Sequence, residues 1–427
     1  MKVTTIGGGS TYSPELVQGF IERHARLGLR ELWLMDIDAA RLEVVGGFAQ
    51  RMVEAVGSPF EVHLTTDRRA ALEGAAYVTT QIRVGQMAAR REDEYLGRRW
   101  NLVGQETTGV GGMAKALRTV PVLLSIAEDM LELCPDAWLI NFANPSGLVT
   151  EALQRYAPQV RSVGLCNGPI GYQMRICKEL GLDSAFDVHL DYLGLNHLAW
   201  IRGARVGGKD IWPQVFARAV EEAREGEHAA VPAEVLERLG VICTYYLRYY
   251  YRTASVLRAQ AQNKPSRAEQ VIEIEKILLD QYADPQLKTM PKELMQRGGA
   301  YYSTVATQLI KAIALDLDEV HIVNTRQGEA VPGVPPDWVM ELPCRVNARG
   351  LHPLPAEPLP AFADGLLRAV KAYELLTAHA AATGDRDALL QALLVHPLGP
   401  DGDQAVEVME DLLSTHEAYL PSFGPAG

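Results

Sequence analysis

The 427-residue sequence predicts an α/β protein, with a doubly wound, Rossmann-like sheet in residues 1–165 and a mixed α+β, largely helical second domain in residues 166–427. Three observations carry that prediction. Short apolar runs alternate with helical stretches up to about residue 150, the pattern of a parallel sheet with crossover helices. A glycine-rich segment, Gly7-Gly8-Gly9-Ser10, separates the first apolar run from the first helical pattern. Beyond residue 165 the alternation gives way to an antiparallel pair and then to helices, and the chain is longer than one ordinary core requires.

The strands of the first half are expected at 2–6, 31–35, 61–65, 77–82 and 137–142. A helix opens at Pro14, where proline suits the first turn, and runs through Leu16, Val17, Phe20 and Ile21. The second half begins with a strand at 162–165 and a pair at 187–193 and 197–202. The charged stretch Glu221 to His228 reads as a solvated helix end or loop, residues 245–251 and 267–281 as two helices, and the proline-rich 331–336 as a turn before closing helices. No internal repeat is present.

A net charge of −12 excludes nucleic acid as the main partner, because phosphate-backbone affinity needs clustered Lys and Arg. The chain opens on a strand rather than on a charged leader with an apolar stretch, and no apolar segment reads as long enough to cross a bilayer. Five scattered cysteines do not form a secreted disulfide framework. The expected compartment is the reducing cytoplasm.

Gly7 to Ser10 lie where a dinucleotide fingerprint belongs, between a strand and a helix N-terminus whose amides and dipole favour a pyrophosphate. The third glycine of the usual spacing is replaced by Tyr12. Asp36, closing the strand Leu32-Trp33-Leu34-Met35, is placed to accept from ribose hydroxyls and to disfavour a 2′-phosphate, which selects NAD. Alone, Asp36 would be a solvated turn residue; the upstream glycines change that reading.

Cys166, in Gly164-Leu165-Cys166-Asn167-Gly168-Pro169, and His197, in Gly194-Leu195-Asn196-His197, each follow a strand. Either alone is ordinarily a small buried hydrophobe or a structural imidazole. Together at one sheet edge, a thiolate and an imidazole suit a borderline divalent metal with open positions for substrate oxygens.

These segments, with Gln81-Ile82-Arg83-Val84-Gly85, Gly104-Gln105-Glu106-Thr107-Thr108-Gly109, Asn141-Phe142-Ala143-Asn144-Pro145-Ser146-Gly147, Tyr246-Leu247-Arg248-Tyr249-Tyr250 and His321-Ile322-Val323-Asn324, run along nearly the whole chain. In them the sequence resembles the NAD- and divalent-metal-dependent glycosidases of glycoside hydrolase family 4, in particular the 6-phospho-β-glucosidases. That family is an exception to the two-carboxylate scheme of glycoside hydrolysis.

The resemblance implies oxidation at carbon 3 of the sugar by NAD, removal of the acidified proton on carbon 2, elimination of the glycosidic oxygen, addition of water and re-reduction. It makes Cys166 and His197 the metal ligands, with Mn2+ first among the divalent ions, and the second domain the catalytic one. Tyr246 matches the base and Arg267 the arginine that activates it. Arg90 matches a phosphate contact, with Asn144 and Ser10 as further polar contacts to substrate or cofactor; Arg91 reads as surface. Asn167 stands where α-specific relatives carry an acidic residue, which favours the β-linked substrate, a 6-phosphorylated disaccharide or β-glucoside. Gln86, in place of a commonly paired glycine, is expected to put a side chain near the phosphate loop.

A 6-phospho-α-glucosidase or another family 4 glycosidase is the alternative. A 2-hydroxy-acid dehydrogenase on the same nucleotide half would need a catalytic His with a carboxylate partner, and a non-enzymatic NAD sensor would bind cofactor without turnover. A homodimer or homotetramer is expected for a cytoplasmic enzyme of this size.

Overall fold

Short apolar runs bounded by turn residues form the first strands: β1 (Lys2–Ile6), β2 (Glu31–Met35), β3 (Glu61–Thr65), β4 (Tyr77–Thr80), β5 (Trp138–Asn141) and β6 (Arg161–Gly164). They pair in parallel in the order β6-β5-β4-β1-β2-β3, the doubly wound arrangement the alternation predicts. The computed structural model describes residues 1–226, 229–262, 264–297 and 301–423.

The sheet does not stop at residue 165. β7 (Val188–Leu195), β8 (Leu198–Val206), β9 (Lys209–Asp210), β10 (Ile242–Cys243), β11 (Glu319–Arg326), β12 (Val339–Asn347) and β13 (Gly350–Pro353) extend it to 13 strands. β11 joins β6 antiparallel through Asn324 and Gly164, and β12 joins β7 through Glu341 and Gly194, one paired residue at each junction. Neighbouring strands that share a single pair diverge on either side of it, so the ladder is loosest where the two halves meet.

Helices are expected after the 331–336 turn, and Ala361–Thr383, Arg386–Val395 and Ala405–Thr415 do close the chain, but β12 and β13 come first and β11 stands just before the turn. Pro343 inside β12 breaks the usual strand signature, and it is tolerated because the paired stretch of β12 continues on both sides of it. The 331–336 segment is the connection between β11 and β12. Of the charged stretch 221–228, residues up to Glu225 end the helix Trp212–Glu225, and 227 and 228 lie outside the described residues.

The helix Gly109–Leu133 corrects the expectation on apolar length. Its 25 residues are long and apolar enough to span a bilayer, but 78% of its apolar window is buried inside the fold, where Val110, Met113, Leu117, Val120, Leu123 and Ile126 face the core. Its apolarity is spent on packing. Nearby, Lys371 is fully buried between Glu151 at 3.0 Å and Glu374 at 2.5 Å. Burial lowers the affinity of this lysine for its proton, but the two carboxylates outweigh it and hold it charged.

Candidate active site

The first βα turn is built for close approach. Gly7 and Gly8 donate to the Met35 carbonyl at 2.9 and 2.8 Å. Gly7 has φ +93°, and a Cβ there would stand 3.0 Å from the Gln81 carbonyl carbon, so the turn requires glycine. Asp36 Oδ2 accepts from the Gly9 amide at 2.8 Å and Oδ1 from Asp38 at 3.0 Å, which fixes the carboxylate at the rim. Tyr12, at the missing third glycine, caps the helix Ser13–Leu27 and packs its ring edge-on to Tyr302 at 6.0 Å. A cavity of about 1010 Å³ runs from Asp36, Ile37 and Thr66 past Gly7, Ser10 and Gly85 to Asn144 and Tyr302. A glycine turn, a helix N-terminus and a rim carboxylate on one long cavity fit a dinucleotide.

The structure brings Cys166 and His197 together: Sγ lies 3.6 Å from Nε2, although 31 residues separate them. Cys166 is the N-cap of the helix Asn167–Leu180, and its sulfur accepts from the Gly168 amide at 3.3 Å, with the backbone of Asn167 and the side chain of Asn196 also donating. Burial pushes the thiol up to about 12. His197 occupies the two-residue turn between β7 and β8 with φ +65°. Burial drops its pKa to about 3, so the imidazole is neutral, and the Thr107 hydroxyl 2.9 Å from Nδ1 leaves Nε2 directed at the sulfur.

Glu341 ties this corner together. It accepts from Tyr192 at 2.6 Å, Asn196 at 3.0 Å and Asn324 at 3.1 Å, and Asn324 also reaches the Gly164 carbonyl at 3.3 Å. One carboxylate thus links β6, β7, β11 and β12. The described residues contain no group of three or more His, Cys, Asp or Glu ligands, so the Cys166–His197 pair offers two protein donors. A soft sulfur and a neutral imidazole nitrogen suit a borderline divalent ion whose remaining positions are filled by oxygens.

Tyr246 stacks on His197 at 3.8 Å with 9° between the rings. Burial, and then the neighbouring Cys166, push its phenol well above the ordinary value, so the hydroxyl holds its proton. Arg90 and Glu106 both lie within electrostatic range of Tyr246. Arg267 is not at the site. It opens the helix Arg267–Tyr282 on the surface, and its guanidinium donates to the carbonyls of Gln296 and Arg297 at 2.9 and 3.1 Å. The exposed helix start turns the side chain toward those free carbonyls, which corrects its placement beside Tyr246.

Arg90 belongs to a buried cationic cluster that the sequence only partly disclosed. Arg90 contacts Glu94 at 2.9 Å and Glu106 at 3.1 Å, and Glu106 also takes Lys115 at 2.7 Å and Arg83. Burial alone would raise the Glu106 carboxyl, but Arg83, Arg90 and Lys115 hold it well below its ordinary range. Burial, and then Arg83, lower Lys115 to about 7. Arg83 and Arg90, with Lys115 partly protonated near neutrality, face Glu94 and Glu106, and two guanidiniums in one place suit an anionic group. Asn144 lines the cavity end beside Tyr302 and accepts from Ser146 at 3.3 Å, and Ser10 lines it next to Gly7. Arg91 pairs with Glu92 on the surface. Gln86 donates its backbone amide to the Arg83 carbonyl at 2.9 Å and turns its side chain to Asp38 at 3.3 Å. Thr107, Tyr302 and Glu341 had no signal in spacing, because each acts across a long sequence separation, and Lys115, nine residues from Glu106, was hidden in an apolar helical stretch.

Residues 2–182 match the model of the family 4 glycosyl hydrolases, and 192–399 that of the family 4 glycosyl hydrolase C-terminal domain. The chain belongs to glycosyl hydrolase family 4. Among family 4 relatives, a probable 6-phospho-beta-glucosidase of Bacillus subtilis (strain 168) is 42% identical over 99% of this chain and 98% of its own. The 6-phospho-beta-glucosidase of Escherichia coli (strain K12) is 38% identical over 99% and 97%. The solved structure of the Thermotoga maritima 6-phospho-beta glucosidase with manganese, NAD+ and glucose-6-phosphate superposes with a TM-score of 0.92 at 34% identity, covering 98% of this chain and 99% of that one.

Proposed function

We propose that this family 4 protein is a 6-phospho-β-glucosidase that hydrolyses 6-phosphorylated disaccharides and β-glucosides, with NAD in the long cavity and a divalent cation, Mn2+ first, at Cys166 and His197. One observation carries the reading: Cys166 Sγ approaches His197 Nε2 to 3.6 Å, and the ring of Tyr246 stacks on that same imidazole. Full-length identity of 42% to a probable 6-phospho-beta-glucosidase supports the substrate class.

When bound, NAD supplies a hydride acceptor for carbon 3 of the sugar, and the cation supplies Lewis-acid withdrawal at carbons 2 and 3. Cys166 and His197 hold the cation, with Thr107 fixing the imidazole. The Tyr246 oxygen would remove the carbon 2 proton once carbon 3 is oxidised, and a cation held by Cys166 and His197 would lower the phenol toward the range that step needs. Before water adds at carbon 1, a proton returns to carbon 2 and the hydride returns to carbon 3 with no net NADH, elimination breaks the glycosidic bond. The Asn167 amide neither donates nor accepts a proton in this step, so the leaving oxygen takes its proton from water. Arg90, with Arg83 and Lys115, binds the 6-phosphate, and Asn144 and Ser10 add polar contacts near the cofactor.

A dehydrogenase reading would need a carboxylate behind the catalytic imidazole, and His197 is backed by the Thr107 hydroxyl instead. The five cysteines are all unpaired, in keeping with a reducing cytoplasm. A homodimer or homotetramer completes the reading, to be measured by light scattering. The deciding assay compares 4-nitrophenyl β-glucoside 6-phosphate with its α-anomer and with the unphosphorylated sugar, each with and without NAD, Mn2+ and a thiol reductant. Turnover of the phosphorylated β-anomer that needs NAD and Mn2+, with no net NADH, is expected; net NADH or preference for the α-anomer would overturn it.

A further inference from the structure

The C-terminal family model ends at residue 399, yet Tyr419, twenty residues later, lines the dinucleotide cavity. It stands on the short turn Glu417–Tyr419 with 40% of its surface exposed. The wall it meets is shaped for it. Gly85 has φ +75°, and a Cβ there would stand 2.5 Å from Ala89 Cβ and 3.0 Å from Cε2 and Cζ of the Tyr419 ring. A residue with a side chain at 85 would displace the ring.

The position along the cavity follows from the next residue. Gln86 reaches Asp38 at 3.3 Å, and Asp38 follows Asp36 and Ile37 on the cavity rim. Ile37 is 89% exposed, an apolar side chain left open beside the carboxylate placed for the ribose. Tyr419 therefore sits toward the Asp36 end and away from Asn144 and Tyr302.

The segment carrying Tyr419 is anchored to the same wall. Asp411, on the helix Ala405–Thr415, accepts from Arg99 at 3.0 and 2.9 Å and from the Trp100 indole at 2.7 Å. His416 lies 3.1 Å from Asp93 as a buried contact without hydrogen-bond geometry. Asp93 makes a two-pronged pair with Arg118 at 2.8 and 2.5 Å, and Arg118 donates to the Val84 carbonyl at 3.1 Å. Leu420 and Phe423 are buried just beyond. The ring is held in register with residues 84 and 85.

We propose that Tyr419 is a cofactor-binding residue, its ring closing the adenosine end of the cavity over Gly85, so that the C-terminal segment completes the dinucleotide site. This rests on the reading that NAD occupies the cavity. An aromatic face held at a cavity rim opposite an open apolar side chain is suited to stack a planar base.

The test is calorimetric titration of NAD, ADP-ribose and nicotinamide mononucleotide into the full-length wild type and the Tyr419→Ala and Tyr419→Phe variants. Tyr419→Ala is expected to weaken NAD and ADP-ribose by the same factor, roughly 2- to 10-fold, the scale of one aromatic stack. Nicotinamide mononucleotide binding should be unchanged, and Tyr419→Phe should bind like wild type. Should Tyr419→Ala unfold, Tyr419→Leu keeps the bulk without the aromatic face and should show the same loss. Wild-type affinity for ADP-ribose in the folded variant, or a loss confined to nicotinamide mononucleotide, overturns the proposal. A wild type that binds neither NAD nor ADP-ribose overturns the cofactor reading itself and this proposal with it.

Discussion

The imidazole of His197 and the phenol of Tyr246 lie parallel, 3.8 Å apart, so the proposed base rests on the face of a proposed ligand. A cation held by Cys166 and His197 would add positive charge beside the phenol and so favour its deprotonated form.

Replacing the sulfur tests the first half of that coupling. Cys166→Ser is expected to abolish Mn2+-dependent turnover while leaving NAD affinity unchanged, because Cys166 does not line the dinucleotide cavity. Thr107→Val, which removes the hydroxyl at His197 Nδ1, is expected to weaken Mn2+ by roughly 10- to 100-fold. Metal titration and NAD titration on the same preparations separate the two effects.

The second half is read at carbon 2. Tyr246→Phe keeps the stack on His197 but removes the oxygen, and kcat is expected to fall by roughly 10²- to 10⁴-fold. Deuterium incorporation from solvent at carbon 2 should fall with it. Normal incorporation in the variant would assign the base elsewhere.

Arg90 bears on the phosphate. Arg90→Ala is expected to raise KM for the 6-phosphorylated substrate by roughly 10- to 100-fold, the scale of a hydrogen bond to a charged group, with a much smaller effect on the unphosphorylated sugar. Arg90→Lys should recover part of the loss, since it keeps the charge but not the fork. Equal effects on the two substrates would count against a phosphate contact.

Lys371 is a stability test far from this chemistry. Lys371→Met leaves Glu151 and Glu374 buried without their cation, and urea unfolding is expected to show a loss of about 3–5 kcal/mol. A loss below about 1 kcal/mol would mean that the carboxylates find other partners.

Glu275 sets a pH dependence. Burial would raise its carboxyl, but Arg297 at 2.8 Å and Arg41 at 3.0 Å outweigh it, so the folded pKa lies below the ordinary 4.5. A depressed folded value stabilises the protein above the unfolded pKa, and that contribution disappears as pH falls through the folded one. Urea midpoints at pH 7 and in stepwise acidification below pH 4.5 should therefore drop more steeply for wild type than for Glu275→Gln. Parallel curves would remove Glu275 from the acid transition.

The parallel half was legible because each of its strands is a short apolar run closed by turn residues, and the glycines at 7 to 9 mark where the sheet binds a ligand. β12 was hidden by Pro343, and β11 by an apolar run too short to separate from a helix turn. The approach of Cys166 to His197 depends on strands more than a hundred residues downstream, so spacing alone could suggest the pair but not its distance. Arg90 and Arg267 show the same limit. Both begin or lie on exposed-looking charged helices, and only packing turns Arg90 inward and Arg267 toward the free carbonyls of 296 and 297.

The Glu341 knot has a consequence for biosynthesis. The turn carrying His197 is held to the Cys166 strand through Asn324 and Glu341, so a chain still emerging from the ribosome cannot assemble the pair until residue 341 has been made. A cation held by this pair would then be loaded late, once residue 341 has been made.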